Sequence, residues 1–280
     1  MNLKETATGL LSRLLRPGIC ARVLASVLCA PLRIMAPRRG VALRNLEIAL
    51  PDASDAERRR ILRGTYDHLV WTGIEFIMLQ RDPRQALEWV EPENASLLDS
   101  LDGRGAILLT GHVGNWELVA AWLAQRGHTV TAIVQETDDH NLIERMRSRV
   151  GLACISKKAP MTRAAAILRR GEFLGILPDQ HGGHEGIPAK FFGLTTSTSQ
   201  GAAVFAYLTK KPLVPIFSHR ISPCRHSVRI GDPIEWDMKE NREATILAIT
   251  ERINGVVERM VLEAPDQWLA QHRRFKEHYA

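Results

Sequence analysis

The stretch "ILLTGHVGNWELVAAWL", Ile107 to Leu123, decides how the rest of the chain is read. A short apolar run stops at Gly111, one histidine follows, and a second glycine, Gly114, precedes a segment whose apolar residues recur at helical spacing. An apolar run of that length closed by glycine predicts a strand buried on both faces, and the segment after it a helix. Strand, turn and helix in that order open a βαβ unit.

Working outward, the same texture repeats. Strand-like pieces are "AILLT" (106–110), "TVTAIV" (129–134), "ACIS" (153–156), "FLGILPD" (173–179), "LVPIFSHR" (213–220) and "HSVRIG" (226–231). Helix-like pieces lie between them at 116–125, 141–150, 161–170 and 199–209, and a longer one spans 240–262, before Pro265. The expected fold class is α/β, with a mostly parallel central sheet flanked by helices. In such sheets reacting groups gather at the carboxyl ends of the strands.

Upstream of this core, about 103–235, the chain is helical. Ser54 with Glu57 three residues later forms a capping-box signal, and Ile61, Leu62, Tyr66, Leu69, Val70, Ile74, Ile77 and Met78 make an apolar face, giving a helical preface to about residue 95. Residues 47–280 are therefore expected to form one domain, with residues 1–46 as a separate basic amphipathic, membrane-associating segment. That arm holds eight Lys or Arg against Glu5 alone, a net +7 in a chain whose total is +6.

Basic charge fits nucleic acid or an anionic membrane surface, where each Lys or Arg contributes about 1 kcal/mol. Between the arginines lie Leu10, Leu11, Leu14, Ile19, Val23, Val27, Leu28, Ile34 and Met35, and no Tyr, Phe or Trp that could stack on bases. The membrane surface is expected and nucleic acid is not. The longest charge-free stretch of the arm, Val23 to Leu32, is too short to span a bilayer, so an interfacial helix pair interrupted near Pro17 and Pro31 is predicted. Cys20, Cys29, Cys154 and Cys224 show no CxxC spacing, which points away from a disulfide framework or zinc ribbon and toward a reducing compartment.

His112 follows its strand directly, so its imidazole is placed at a rim. Glu117, five residues on and across the turn, can accept from one ring nitrogen while the other takes a proton, as in a general-base dyad. No G-x-S-x-G elbow and no nearby cysteine supplies a protein nucleophile, so direct transfer is implied. The alternative is a structural histidine at a strand end.

"GHVGNWE" (111–117) resembles the HX4(D/E) motif of the lysophospholipid acyltransferase-like superfamily, in the form used by the late lipid A acyltransferases, the lauroyl and myristoyl transferases. Six further pieces resemble the same family in order: "RNLEIALP" (44–51), "RSRVG" (147–151), "LPDQ" (177–180), "FFG" (191–193), "KPLVPIF" (211–217) and "PDQWLAQHRRFK" (265–276). The resemblance implies transfer of a fatty acyl chain from an acyl carrier protein thioester to a hydroxyl of a Kdo-bearing lipid A precursor, at the cytoplasmic face of the cell inner membrane. His112 would deprotonate the acceptor and Glu117 would orient His112. No metal or resident cofactor is implied, because the carrier's phosphopantetheine arm belongs to the co-substrate. Where the family shows an arginine and a proline after the second strand, this chain has Gln135 and Glu136. Another glycolipid or phospholipid acceptor is therefore the second reading, and a catalytically silent membrane-binding relative the third.

Arg147 and Arg149 point about 200° apart on a helix, so only one can face the site, and the resemblance favours Arg147. Asp179 and Gln180 end the fourth strand and are read as acceptor-binding, site-shaping or loop-capping residues. Asn115, Lys190 and Phe192 complete the substrate-binding candidates. Phe191 and Phe192, on an expected loop, form either the lip of an acyl channel or an aromatic plug. His181 and His184 near Asp179 and Glu185 suggest a metal site, but H-x-x-H on a glycine-rich loop is poorly preorganised for one. His272, Arg273 and Arg274 form a basic cap that could meet an acidic carrier or be an ordinary solvated terminus.

Overall fold

The computed structural model describes residues 3–135 and 140–279. Its elements run α1 (Leu3–Leu14), α2 (Ile19–Met35), α3 (Arg39–Ala49), α4 (Asp55–Leu79), α5 (Gln85–Trp89), β1 (Val90–Glu93), α6 (Ala95–Leu101), β2 (Ala106–Leu109), α7 (Trp116–Gln125), β3 (Val130–Val134), α8 (His140–Arg149), β4 (Ala153–Ser156), α9 (Met161–Arg169), β5 (Phe173–Ile176), β6 (Ile187–Phe191), β7 (Leu194–Thr198), α10 (Gly201–Thr209), β8 (Leu213–Ser222), β9 (Arg225–Ile230) and α11 (Arg242–Glu263).

Seven strands form one sheet in the order β1-β9-β8-β2-β5-β3-β4. The five strands from β8 to β4 are parallel, β9 runs antiparallel to β8, and β1 pairs parallel with β9. The expected mostly parallel α/β sheet is what forms. Each β2 side chain shows why: Ala106 and Leu108 face a core shared with α4, α7 and α8, while Ile107 and Leu109 face a second core built with α9, α10 and α11. A strand covered on both faces must be apolar at every position, which is how "AILL" reads.

β1 has no alternating pattern in "VEPE" and gives no strand signal in the sequence. The "AKFFG" segment is no loop: β6 and β7 form an antiparallel hairpin. Its turn is Phe192-Gly193, with φ of +48° and +75°. Two left-handed residues are what a tight hairpin requires, but Asn-Gly is the usual signal and a phenylalanine there masks it.

In the arm, the chain breaks at residues 15–18, as expected beside Pro17, but α2 continues through Pro31. The proline removes one helical hydrogen bond. Packing of Ala21, Ala25 and Cys29 onto the body offsets that loss. The second break comes instead at Pro37, where α2 and α3 meet at 88°. Among the described residues no single helix is long and apolar enough to cross a membrane, although the bent α2–α3 pair passes that test jointly.

Candidate functional site

β2 and β5 lie side by side with Leu109 opposite Ile176. Three residues beyond each strand end stand His112 and Asp179, so the two chains leave the sheet together and the side chains meet. Asp179 grips the histidine twice: Oδ1 is 2.8 Å from His112 Nδ1, and Oδ2 accepts from the His112 backbone N–H at 2.9 Å. Burial alone would push the Asp179 carboxyl up, but the His112 ring and N–H outweigh it and hold the carboxyl below its usual range. With Nδ1 turned to a carboxylate, Nε2 is the nitrogen left for exchange. The Gln180 side-chain nitrogen lies 3.3 Å from it.

Glu117 is elsewhere. Its carboxylate is clamped by Arg147, with Nε at 3.0 Å from Oε2 and Nη2 at 2.6 Å from Oε1, and it accepts from the Trp116 indole N–H at 3.1 Å. The Trp116 ring stands edge-on to the His112 ring, with centroids 4.9 Å apart, between the histidine and the Glu117–Arg147 pair. The expectation that Glu117 accepts from the imidazole is therefore corrected: Asp179 does so. Glu117 begins α7, whose axis carries it toward α8, and the last turn of α8 supplies Arg147. Burial works against the Arg147 charge, but Glu117 more than offsets it and raises that pKa.

The turn after His112 is held by a buried polar cluster that sequence reasoning missed. Gly114 has φ +65°, and a Cβ there would lie 1.8 Å from the Ser218 carbonyl oxygen, so no other residue fits without a shift. Asn115 caps α7, its Oδ1 accepting from Leu118 N–H at 3.0 Å, while its Nδ2 donates to Glu75 Oε2 at 2.7 Å. Both ends of that amide are thereby used and the side chain is fully buried, which corrects its expected substrate-binding role. Glu75, also fully buried, further accepts from Arg220, from Cys224 N–H at 2.8 Å and from His226 Nε2 at 3.1 Å. Burial would raise its carboxyl, but His226 and Arg220 prevail and bring it down to about 2. His68 beside Arg220 is pushed down to about 3, chiefly by burial, so it is neutral. One signal existed: an acid between Ile74 and Phe76, inside the most apolar part of α4, has to be paired.

The C-terminal segment closes the other side. Leu269 N–H donates to the His112 carbonyl at 2.8 Å, and Val113 bridges to Trp268. The basic cap divides: Arg273 is exposed, His272 is half-buried and lowered to about 4 by burial, and Arg274 is 1% exposed. Arg274 lies 4.4 Å over the Phe191 ring and donates to Ser197 O and Thr198 Oγ1, so it is no solvated terminus. Phe191 is buried beneath it as a plug, and Phe192 is half-buried against Trp268. Lys190 has an exposed side chain, and its main chain is pinned to α11 through Glu251 and Asn254. His181 uses Nε2 on Glu277 at 2.8 Å and Nδ1 on Gly183 N–H at 3.0 Å. Glu136 lies outside the described residues.

A carboxylate-backed histidine at the carboxyl edge of a parallel sheet is the equipment of an α/β enzyme that moves a proton. The profile described as bacterial lipid A biosynthesis acyltransferase matches residues 10–277, and the chain belongs to that family. It is similar to the lipid A biosynthesis lauroyltransferase of Escherichia coli (strain K12), 26% identical over 88% of this chain and 81% of that protein. It is also similar to the lipid A biosynthesis palmitoleoyltransferase of the same organism, 24% identical over 85% and 79%. A shorter likeness, 28% over 42% of this chain and 41% of the other, is to the phosphatidylinositol mannoside acyltransferase of Mycobacterium tuberculosis (strain ATCC 25618 / H37Rv). The protein is an acyltransferase.

Proposed function

We propose that the protein moves a fatty acyl chain from an acyl carrier protein thioester to a hydroxyl of a lipid A precursor. His112 Nε2 takes the proton from the acceptor hydroxyl as its oxygen attacks the thioester carbonyl, and Asp179 stabilises the imidazolium that forms. The C–S bond then breaks, and the proton on Nε2 passes to the leaving thiolate. The observation that carries this reading is the double contact of Asp179 on His112, which fixes the ring and leaves Nε2 outward. Gln180, beside Nε2, orients the acceptor hydroxyl. Glu117 and Arg147 act as one unit that shapes the wall of the site behind Trp116. Lys190 and Phe192 contribute to the substrate-facing hairpin. The phosphopantetheine arm arrives with the donor, and the reading calls for no metal.

The arm seats the enzyme on the cytoplasmic face of the inner membrane. In α2 the small residues Ala21, Ala25 and Cys29 pack inward, while Ile19, Val23, Val27 and Ile34 point outward at 57 to 84% exposure. Large apolar side chains on the outer face, flanked by arginine, suit an interface and oppose solution.

Purified protein given acyl carrier thioester and precursor is expected to yield a lipid one acyl chain heavier, and His112→Ala to abolish that product while staying folded. Wild-type turnover in His112→Ala would sink the mechanism. A second reading, a mannosylated phosphoinositide or similar glycolipid acceptor, is favoured by the mycobacterial likeness and would show as mass gain on that lipid instead.

A further inference from the structure

Away from His112, a groove of about 640 Å³ runs between α1, the end of α4 and α8. Four arginines line it: Arg13 from α1, Arg81 from the turn after α4, and Arg145 and Arg149 from α8. Leu10, Leu142 and Met146 give it an apolar floor, and no Asp or Glu is among the described lining residues. Among the described residues, Arg13, Arg81 and Arg149 form no ion pair. On α8, Leu142, Arg145, Met146 and Arg149 fall three or four residues apart and share one face, with Arg145 and Arg149 exposed, Leu142 half-buried and Met146 buried at its base. Arg13, Arg81 and Arg149, none of them ion-paired among the described residues, repel one another across the groove. Such an arrangement is relieved by an anion, and the floor suits hydrocarbon. Leu10, which lines it, is 58% exposed, and Leu14, four residues further along α1, is 67% exposed.

We propose that this groove binds the phosphate of an anionic phospholipid of the surrounding bilayer, with the start of its acyl chains on Leu10, Leu142 and Met146. The proposal rests on the membrane-surface reading of the arm and deepens it, turning diffuse attraction into one headgroup site. It also has a reach toward catalysis. Arg147 lies on the opposite side of α8, about 200° from Arg145 and Arg149, where it clamps Glu117. A headgroup bridging α1 and α8 steadies the helix that carries that clamp.

The test uses the full chain and two probes. One is vesicles of phosphatidylcholine with or without phosphatidylglycerol; the other is short-chain phosphatidylglycerol kept below its micelle concentration, set against inorganic phosphate. Arg81→Gln with Arg149→Gln removes two groove charges, and Arg59→Gln with Arg169→Gln removes two exposed charges elsewhere. The groove pair is expected to lose at least about tenfold in affinity for phosphatidylglycerol in both formats, with the control pair unchanged. Equal losses in the two pairs, or none, would overturn the site. Inorganic phosphate binding as tightly as the short-chain lipid would make it a soluble-anion site. A raised KM for the acceptor with unaltered phosphatidylglycerol binding would assign the groove to the acceptor. If wild type ignores vesicles but binds the short-chain lipid in the groove, the arm reading falls and the groove stands.

Discussion

At the scale of single residues, the site turns on which carboxylate serves His112. Asp179→Asn keeps the shape but removes the negative charge and replaces one of the two oxygens that accept from His112 with an NH2 donor, and turnover is expected to fall by about a hundredfold or more with little change in melting temperature. Glu117→Gln does something different. It leaves the Arg147 charge unpaired in a site where its side chain is 19% exposed, so a loss on the order of 3 kcal/mol of stability is expected. Acyl transfer rates and thermal midpoints of the two variants separate the roles. If Glu117→Gln proved inactive yet fully stable while Asp179→Asn retained turnover, the partners would have to be exchanged. Glu75→Gln belongs here too: it leaves Arg220 facing a neutral group in a fully buried cluster, and a loss of about 3 kcal/mol is expected by chemical denaturation.

At the scale of elements, the start of α7 does two jobs, closing the helix and presenting His112. Asn115→Ala removes the N-cap, which alone costs about 1 kcal/mol, and also strips one donor from Glu75. Urea denaturation of this variant is expected to show a loss of about 2 kcal/mol, and a loss near zero would mean that the cap and the Glu75 contact do not matter. The elements also show what could be read in advance. β2 was legible as an unbroken apolar run before glycine, and α4 as an apolar stripe behind a Ser54 cap that accepts from Glu57 N–H at 3.2 Å. The β6–β7 hairpin was not, because Phe192 occupies a left-handed position that a bulky residue rarely takes. The surrounding fold enforces it, with Glu258 accepting from Phe192 N–H at 2.6 Å.

At the scale of the whole molecule, buried imidazoles couple stability to pH. His68 and His272 titrate near 3 and 4 in the folded state, against an ordinary value of 6.5. The unfolded chain therefore binds more protons below 6.5, and stability present above that pH is lost as pH falls toward 4 and then 3. Glu75, held at about 2, adds a further loss between its ordinary 4.5 and 2, with the same sign. Thermal midpoints are expected to fall steadily from pH 7 to pH 4, with a shallower slope in His68→Gln; an unchanged slope in that variant would remove His68 from the account. The arm acts at this scale as well. Val23→Asp with Val27→Asp is expected to release the protein from vesicles without unfolding the body, as read by flotation and circular dichroism.

Composition and local pattern alone settled the α/β class, the basic arm, the strand that delivers His112 and the presence of Asp179 and Gln180 at another strand's end. These follow from propensities and periodicities that act within a few residues. Which carboxylate meets the imidazole was decided only when β5 took its place beside β2, out of chain order, because strand neighbours are chosen by the packing of both sheet faces at once. Proximity in sequence favoured Glu117, five residues from the histidine. The sheet set Asp179, sixty-seven residues away, at 2.8 Å.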